Sequence, residues 1–442
     1  MQEIINLYNY KSITENDSKE IIEKIIEFFK DKTVIIWGAG ITGHFYYDLF
    51  KRLDLKIKYF VDKNASEINR INEISVFTPE KLFSETENII LLIAGNPSIV
   101  KSINDDIKLM NLPANIQAKN GNDLISIARC AVCISKIKNN EKINFTECSI
   151  CYNKECFCSA FIKQFEHTTG KKLPKNNKKV DFPLLGYILG QVCTLKCKHC
   201  CEALPYMKHP FQVKTEQVIA DIKKAAAASN FISRVEFIGG EPFLHKGLPQ
   251  ILKAVTEIEN VGYAMVFTNA TVMPSEELIK ILKHPRVVVN FSGYKATISN
   301  DLKEKVQKTK AKLIESGVNF AFYNPDSRSW FDVNVFTERK ANSEQLQEYY
   351  DKCFMNNCHR LFNGEFYCCP HYYSGVQLGL NQKFPYEYID MHKYSDEELA
   401  QQFVKFKELV YPQACKYCNL PYDAKAVPPA IQLAKQEEIP CL

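Results

Sequence analysis

The sequence has no long apolar run. Its longest, residues 89–94, falls far short of the roughly 20 residues that a bilayer-spanning helix needs, so a membrane span is not expected. Residues 1–20 are polar and acidic and lack the apolar stretch of a secretory signal, which makes the cytoplasm the expected location. Charge of one sign is scarce as well. With 56 Lys and Arg against 51 Asp and Glu, a net charge of +5 over 442 residues leaves no footprint for nucleic acid or an anionic membrane. What the chain does have is cysteine, 17 of them. In a chain this long without a leader they read as reduced metal ligands rather than disulfides. The length exceeds one ordinary core and predicts about three domains.

The densest cysteine stretch is Cys193-Thr194-Leu195-Lys196-Cys197-Lys198-His199-Cys200, a C-x3-C-x2-C triad. Three close thiolates suit a cubane [4Fe-4S] cluster whose fourth iron stays open to a small molecule. Zinc would need a fourth ligand, and the nearest choices are poor: Cys201 is adjacent to Cys200, and His209 stands without other ligand-like residues.

This triad resembles the signature of the radical S-adenosylmethionine (SAM) superfamily. The resemblance implies that SAM binds the open iron, that an electron from the cluster cleaves it, and that the 5′-deoxyadenosyl radical abstracts a substrate hydrogen. A reducing partner of the flavodoxin or ferredoxin type would supply the electron.

Residues 184–330 alternate apolar strands with amphipathic helices, the pattern of parallel strands carrying functional residues at their C-terminal ends. The fold class is therefore α/β, and the resemblance implies a partial (β/α)6 barrel here. Gly239-Gly240-Glu241-Pro242 follows the strand predicted at 234–238 and matches the family's GGEP motif. By that match the glycines and Glu241 would grip the SAM ammonium group. Asn290 and Ser292 end a later strand, where the family places polar contacts to the SAM ribose and carboxylate. His199 stands where the family often packs an aromatic ring near adenine. Ala270 departs from the family's usual glycine in the turn Thr268-Asn269-Ala270-Thr271, so no adenine contact is expected there.

Ahead of this core, residues 1–118 read as an opening helix, capped by Asp17 or Ser18, plus a Rossmann-like domain. A strand at 33–37 runs into Gly38-Ala39-Gly40-Ile41-Thr42-Gly43 and a helix, and a second strand ends in Asp62. In that setting Gly38, Gly40 and Gly43 would admit a pyrophosphate, and Asp62 would face a ribose. The stretches Trp37-Gly38-Ala39-Gly40 and Phe60-Val61-Asp62 are similar to domains that hold nucleotide-sugars at the start of sugar acyltransferases. A nucleotide or nucleotide-sugar, NAD, or a turn that binds nothing all remain open.

Residues 119–183 read as a cysteine-rich connector ending in a basic linker. Cys130-x2-Cys133 and Cys148-x2-Cys151, with Cys156 and Cys158 beyond, approach zinc-ribbon spacing and suit zinc or a third cluster equally. Residues 331–442 hold Cys353, Cys358, Cys368, Cys369 and Cys415-x2-Cys418. The run Cys353-x10-Gly364-x4-Cys369, closed by the distant CxxC, resembles the SPASM/twitch extension in its single-cluster form. That implies an auxiliary [4Fe-4S] cluster on Cys353, Cys369, Cys415 and Cys418, with Cys358 and Cys368 as alternates.

The expected protein is a SAM-cleaving enzyme that oxidises or epimerises a sugar, nucleotide-sugar or glycan precursor. Cys201, Cys358 or Cys368 would be hydrogen-atom donors if it epimerises. A peptide-modifying enzyme is the alternative of the same class, and a non-catalytic zinc protein the alternative of another.

Overall fold

A computed structural model describes residues 15–139, 141, 176–292, 294, 297–321, 330–353 and 355–433, apart from Asn96. The chain forms two compact units, 1–167 and 168–442.

In the first unit, helix α1 (Glu15–Phe29) precedes strand β1 (Thr33–Trp37), helix α2 (Ile41–Arg52), β2 (Tyr59–Val61), β3 (Arg70–Ile71), β4 (Ile74–Phe77), β5 (Ile89–Ile93), α3 (Pro97–Met110), β6 (Ile116–Asn120) and α4 (Asn122–Lys138). The sheet order is β3-β4-β2-β1-β5-β6, parallel except for β3 on β4. Strands buried on both faces need apolar residues in unbroken runs. Val34 and Ile36 face Ile21, Ile25, Phe50 and Ile127 from α1, α2 and α4, whereas Ile35 and Trp37 face Val100 and Ile103 of α3. Because α4 supplies part of this core, the unit runs past the boundary expected at 118. The expected N-cap also differs: Ser18 lies inside α1 and donates its hydroxyl to the Ala131 carbonyl at 2.6 Å, tying α1 to α4.

The second unit begins with β7 (Val180–Phe182), drawn from the stretch that reads as a linker and paired with β9. There follow β8 (Leu185–Ile188), α5 (Thr215–Ala227), β9 (Ser229–Ile238), α6 (Leu248–Thr256), β10 (Val261–Thr268), α7 (Glu276–Leu282), β11 (Val287–Phe291), α8 (Asn300–Glu315) and β12 (Phe320–Ala321). Then come β13 (Trp330–Phe331), α9 (Ser343–Lys352), β14 (His359–Phe362), β15 (Glu365–Tyr367), α10 (Pro370–Gln377), β16 (Tyr388–Asp390), α11 (Asp396–Lys407) and β17 (Ala426–Val427). Strands β8 to β12 neighbour one another in chain order and run parallel, the winding of a singly wound β/α array. Their alternate residues, among them Tyr187, Val235, Phe237, Val266 and Val289, pack on Ile222, Leu252, Ile279 and Leu313 of the helices.

One feature departs from the sequence reading. Strand β14 pairs in parallel with β8, so the C-terminal segment extends the same sheet instead of standing apart from it. The face away from the helices is charged: Arg360 lies in register with Gly186 and Glu236. Arg360 holds Glu202 at 3.2 Å, and Arg234 holds Glu236 at 2.7 Å.

Candidate active site

The parallel strands deliver the cysteine triad, the Gly-Gly-Glu turn, the Thr-Asn-Ala-Thr turn and Asn290 with Ser292 to one edge, because each follows or ends β8, β9, β10 or β11. The β9 turn packs backbone to backbone against the chain leading into the triad. Gly240 N donates to the Gly190 carbonyl at 2.8 Å, and Glu241 N donates to the Val192 carbonyl at 3.0 Å. A Cβ on Gly240 would sit 1.8 Å from the Val192 oxygen, and Gly239 has φ +109°, so both positions require glycine.

Cys193, Cys197 and Cys200 lie within one another's electrostatic reach, and burial pushes each thiol up, that of Cys197 to about 12. Three thiols raised in this way, Cys197 buried and Cys193 and Cys200 half-buried, are poor isolated thiolates, and a bound cation is what would deprotonate them. Three cysteine thiolates are the donor set a cubane takes, one to each of three irons, whereas a zinc ion would need a fourth ligand.

Glu241 has partners that the motif does not reveal. Its carboxylate is buried and accepts from Phe243 N at 3.1 Å, the Thr268 hydroxyl at 2.6 Å and Asn269 N at 2.8 Å. Desolvation nevertheless raises it to about 7, against the opposing pull of those three donors. In this arrangement Glu241 clamps the ends of β9 and β10 together. Asn269, which sequence reasoning missed, reaches back to the triad loop: its Nδ2 lies 3.0 Å from the Thr194 hydroxyl and 3.7 Å from Cys193 Sγ. Ala270 adopts φ +58°, which accounts for a glycine preference at this turn and adds strain to the alanine.

Asn290 is nine-tenths buried; its Nδ2 faces Met265 Sδ at 3.8 Å and its Oδ1 has no hydrogen-bond partner among the described residues. That orphaned acceptor suits a bound polar ligand. Ser292 N donates to the Thr268 carbonyl at 2.8 Å. His199 Nδ1 lies 3.1 Å from Asp332 Oδ1.

Cys353, Cys369, Cys415 and Cys418 act on one another electrostatically, with Cys368 beside Cys369 and Cys415. Burial pushes Cys418 up to about 12. The buried Glu387 accepts from the backbone N–H groups of Gln413 and Ala414, which fixes the Cys415 turn. Cys358 lies beside Arg360 and Arg234. Cys201 faces Glu202 at 2.7 Å, and the same glutamate pairs with Arg360.

In the first unit, Gly38 (φ +121°) passes so close to β5 that a Cβ would lie 2.0 Å from the Ala94 oxygen. Asp62 accepts from Ala39 N at 2.8 Å and from Asn64 N at 2.9 Å, one bond to each oxygen, and so keeps acceptor capacity for a further donor. Gly40 ends the turn at the start of α2, and Gly43 packs on the Gly38 carbonyl. Cys130 and Cys133 are buried on α4, so this CxxC is helical rather than a knuckle turn, and Cys130 is disulfide-bonded instead of being the reduced metal ligand expected, while Cys133 is a free thiol. Cys148, Cys151, Cys156 and Cys158 lie outside the described residues.

Residues 187–322 match the family model of the Radical SAM superfamily, so the chain carries a radical SAM domain, whose family uses a [4Fe-4S] cluster and SAM. It is 28% identical over 101 residues to an S-adenosylmethionine-dependent nucleotide dehydratase of Lacinutrix mariniflava, covering 22% of this chain and 20% of that protein. It is 29% identical over 105 residues to a GTP 3',8-cyclase of Psychromonas ingrahamii, covering 23% and 31%. The chain thus matches about a fifth to a third of the length of these curated relatives. Among solved structures, BtrN in complex with AdoMet and 2-DOIA aligns with TM-score 0.37 and 13% identity, over 54% of this chain and 93% of that one. Streptococcus suis SuiB bound to precursor peptide SuiA aligns with TM-score 0.32 and 13% identity, over 73% and 83%. No helix among the described residues is long and apolar enough to cross a membrane.

Proposed function

We propose that this chain is a radical SAM enzyme that removes a hydrogen atom from a sugar, nucleotide-sugar or glycan precursor and so oxidises or epimerises it. The observation carrying the reading is the meeting, on one strand edge, of three buried or half-buried thiols, a glycine turn that excludes side chains, and an Asn290 acceptor without a partner among the described residues. When bound, a [4Fe-4S] cluster with SAM supplies one-electron cleavage of SAM and hydrogen-atom abstraction. Cys193, Cys197 and Cys200 would hold it. Gly239 and Gly240 leave room for close backbone approach, Glu241 fixes the two strand ends that frame the site, and Asn290 and Ser292 offer polar contacts to SAM.

Cys353, Cys369, Cys415 and Cys418 would hold an auxiliary cluster that accepts an electron from an oxidised substrate or anchors it. Cys201 and Cys358, both beside Arg360, are the better placed thiols for returning hydrogen in an epimerisation; Cys368 is enclosed with the auxiliary set. The β1 glycine turn sits where the strand order reverses between β2 and β5, the usual crevice for a nucleotide, which supports a nucleotide-linked substrate or effector. The names of the matched relatives, a nucleotide dehydratase and a GTP cyclase, agree with that class.

The test is anaerobic reconstitution with SAM, dithionite and deuterated candidates. Deuterium passing from a sugar or nucleotide-sugar into 5′-deoxyadenosine supports the reading, and transfer from a peptide alone overturns the substrate class. Brown protein with about eight irons is expected for two cubanes, and about twelve if residues 130–158 hold a third. A colourless zinc protein would overturn the class itself. Cys197→Ala is expected to abolish 5′-deoxyadenosine formation.

A further inference from the structure

The C-terminal segment after β17 returns to the triad loop from more than two hundred residues away and lies across it as a short antiparallel strap. Lys198 N donates to the Ile431 carbonyl and Leu433 N to the Lys196 carbonyl, each at 2.7 Å, with Cys197 bridged to Gln432. The strap is anchored by the Thr297 hydroxyl, which donates to the Pro429 carbonyl at 2.6 Å, and by a left-handed Ala430 at φ +53°. At its centre one side-chain amide works in two directions. Gln432 Oε1 accepts from Lys196 N at 2.9 Å, while Gln432 Nε2 lies 2.7 Å from the Ala430 carbonyl and 3.6 Å from Cys197 Sγ. That sulfur stands for the thiolate of a metal ligand, and amide N–H groups aimed at ligand sulfurs tune an iron–sulfur centre.

We propose that Gln432 is a positioning residue for Cys197: its carbonyl fixes the triad loop, and its N–H donation to the sulfur stabilises the reduced state of the metal centre bound there. Asn269 Nδ2, at 3.7 Å from Cys193 Sγ, makes the corresponding approach from the β10 end. The tuning half of the proposal rests on the reading of the triad as a cluster site; the positioning half does not.

Two variants separate the halves. Gln432→Leu removes acceptor and donor, whereas Gln432→Glu keeps an acceptor for Lys196 N and loses the donor. In metal-free full-length protein, amide hydrogen exchange over residues 196–198 is expected to accelerate at least about tenfold in Gln432→Leu and to stay near wild type in Gln432→Glu. In reconstituted protein both variants are expected to be harder to reduce. The equilibrium constant for reduction should fall roughly fivefold to tenfold, tenfold being about 59 mV for one electron, and fall further in Gln432→Glu because it adds a negative charge. Unchanged exchange in Gln432→Leu overturns the positioning role, and unchanged potentials in both variants overturn the tuning role. Failure of the wild type to take up iron overturns the cluster reading and the tuning role with it, while the exchange result still decides the positioning role.

Discussion

Glu241 offers the sharpest physical test because burial and hydrogen bonding pull its charge in opposite directions. Three donors favour the carboxylate, yet desolvation wins and moves it from 4.5 to about 7. A carboxyl that holds its proton more tightly when folded contributes stability that is complete below its unfolded value and is lost as pH rises through the folded value. At about 1.36 kcal/mol per pH unit, the loss between pH 4.5 and 7 comes to about 3 kcal/mol, flat on either side. Glu241→Gln removes the titration. Its oxygen can still accept from Phe243 N and the Thr268 hydroxyl, but its NH2 would face the Asn269 N–H, donor against donor, at about 1–3 kcal/mol in a pH-independent offset. The assay is thermal unfolding of metal-free, reduced protein and variant between pH 4.5 and 8.5. The wild type should lose about 3 kcal/mol relative to the variant across that range, roughly 6–12 °C in melting temperature for a unit of this size. A difference constant with pH would show that the three donors keep Glu241 ionised throughout, and would refute the reasoning.

Removing one partner of the buried Arg360–Glu202 pair leaves an uncompensated charge. Arg360→Met should therefore destabilise by about 3–5 kcal/mol, and adding Glu202→Leu should recover much of that in urea unfolding. A double variant no better than the single would refute the pairing. Ala270→Gly relieves left-handed strain of about 1–2 kcal/mol, partly offset by a freer unfolded chain and a lost buried methyl group, so the melting temperature should rise by about 1–3 °C. A fall would contradict the assigned backbone.

The β/α alternation from 184 to 322 and the placement of motifs at strand ends were legible because apolar runs punctuated by glycine turns carry both signals locally. The helix stripe of Ile21, Ile22, Ile25, Ile26 and Phe29 was legible for the same reason; Ile21, Ile25 and Phe29 are buried, and Ile22 and Ile26 are half-buried. What sequence could not show depends on contacts distant along the chain. Glu241 is bonded to Thr268 and Asn269 of the next strand end, and Gln432 reaches Cys197 across 235 positions, with no motif to mark either. Asp62 and the glycine turn were recognised as neighbours, but their hydrogen bond to each other was not.

The pairing of β14 with β8 has a practical meaning for any attempt to isolate the catalytic core. A chain cut at 330 would strip Leu185, Gly186 and Tyr187 of their parallel neighbour and leave a row of unpaired amides and carbonyls beside exposed apolar side chains. Such a border invites sticking to other copies, so the fragment should be recovered as aggregate even though every motif of the domain lies within it.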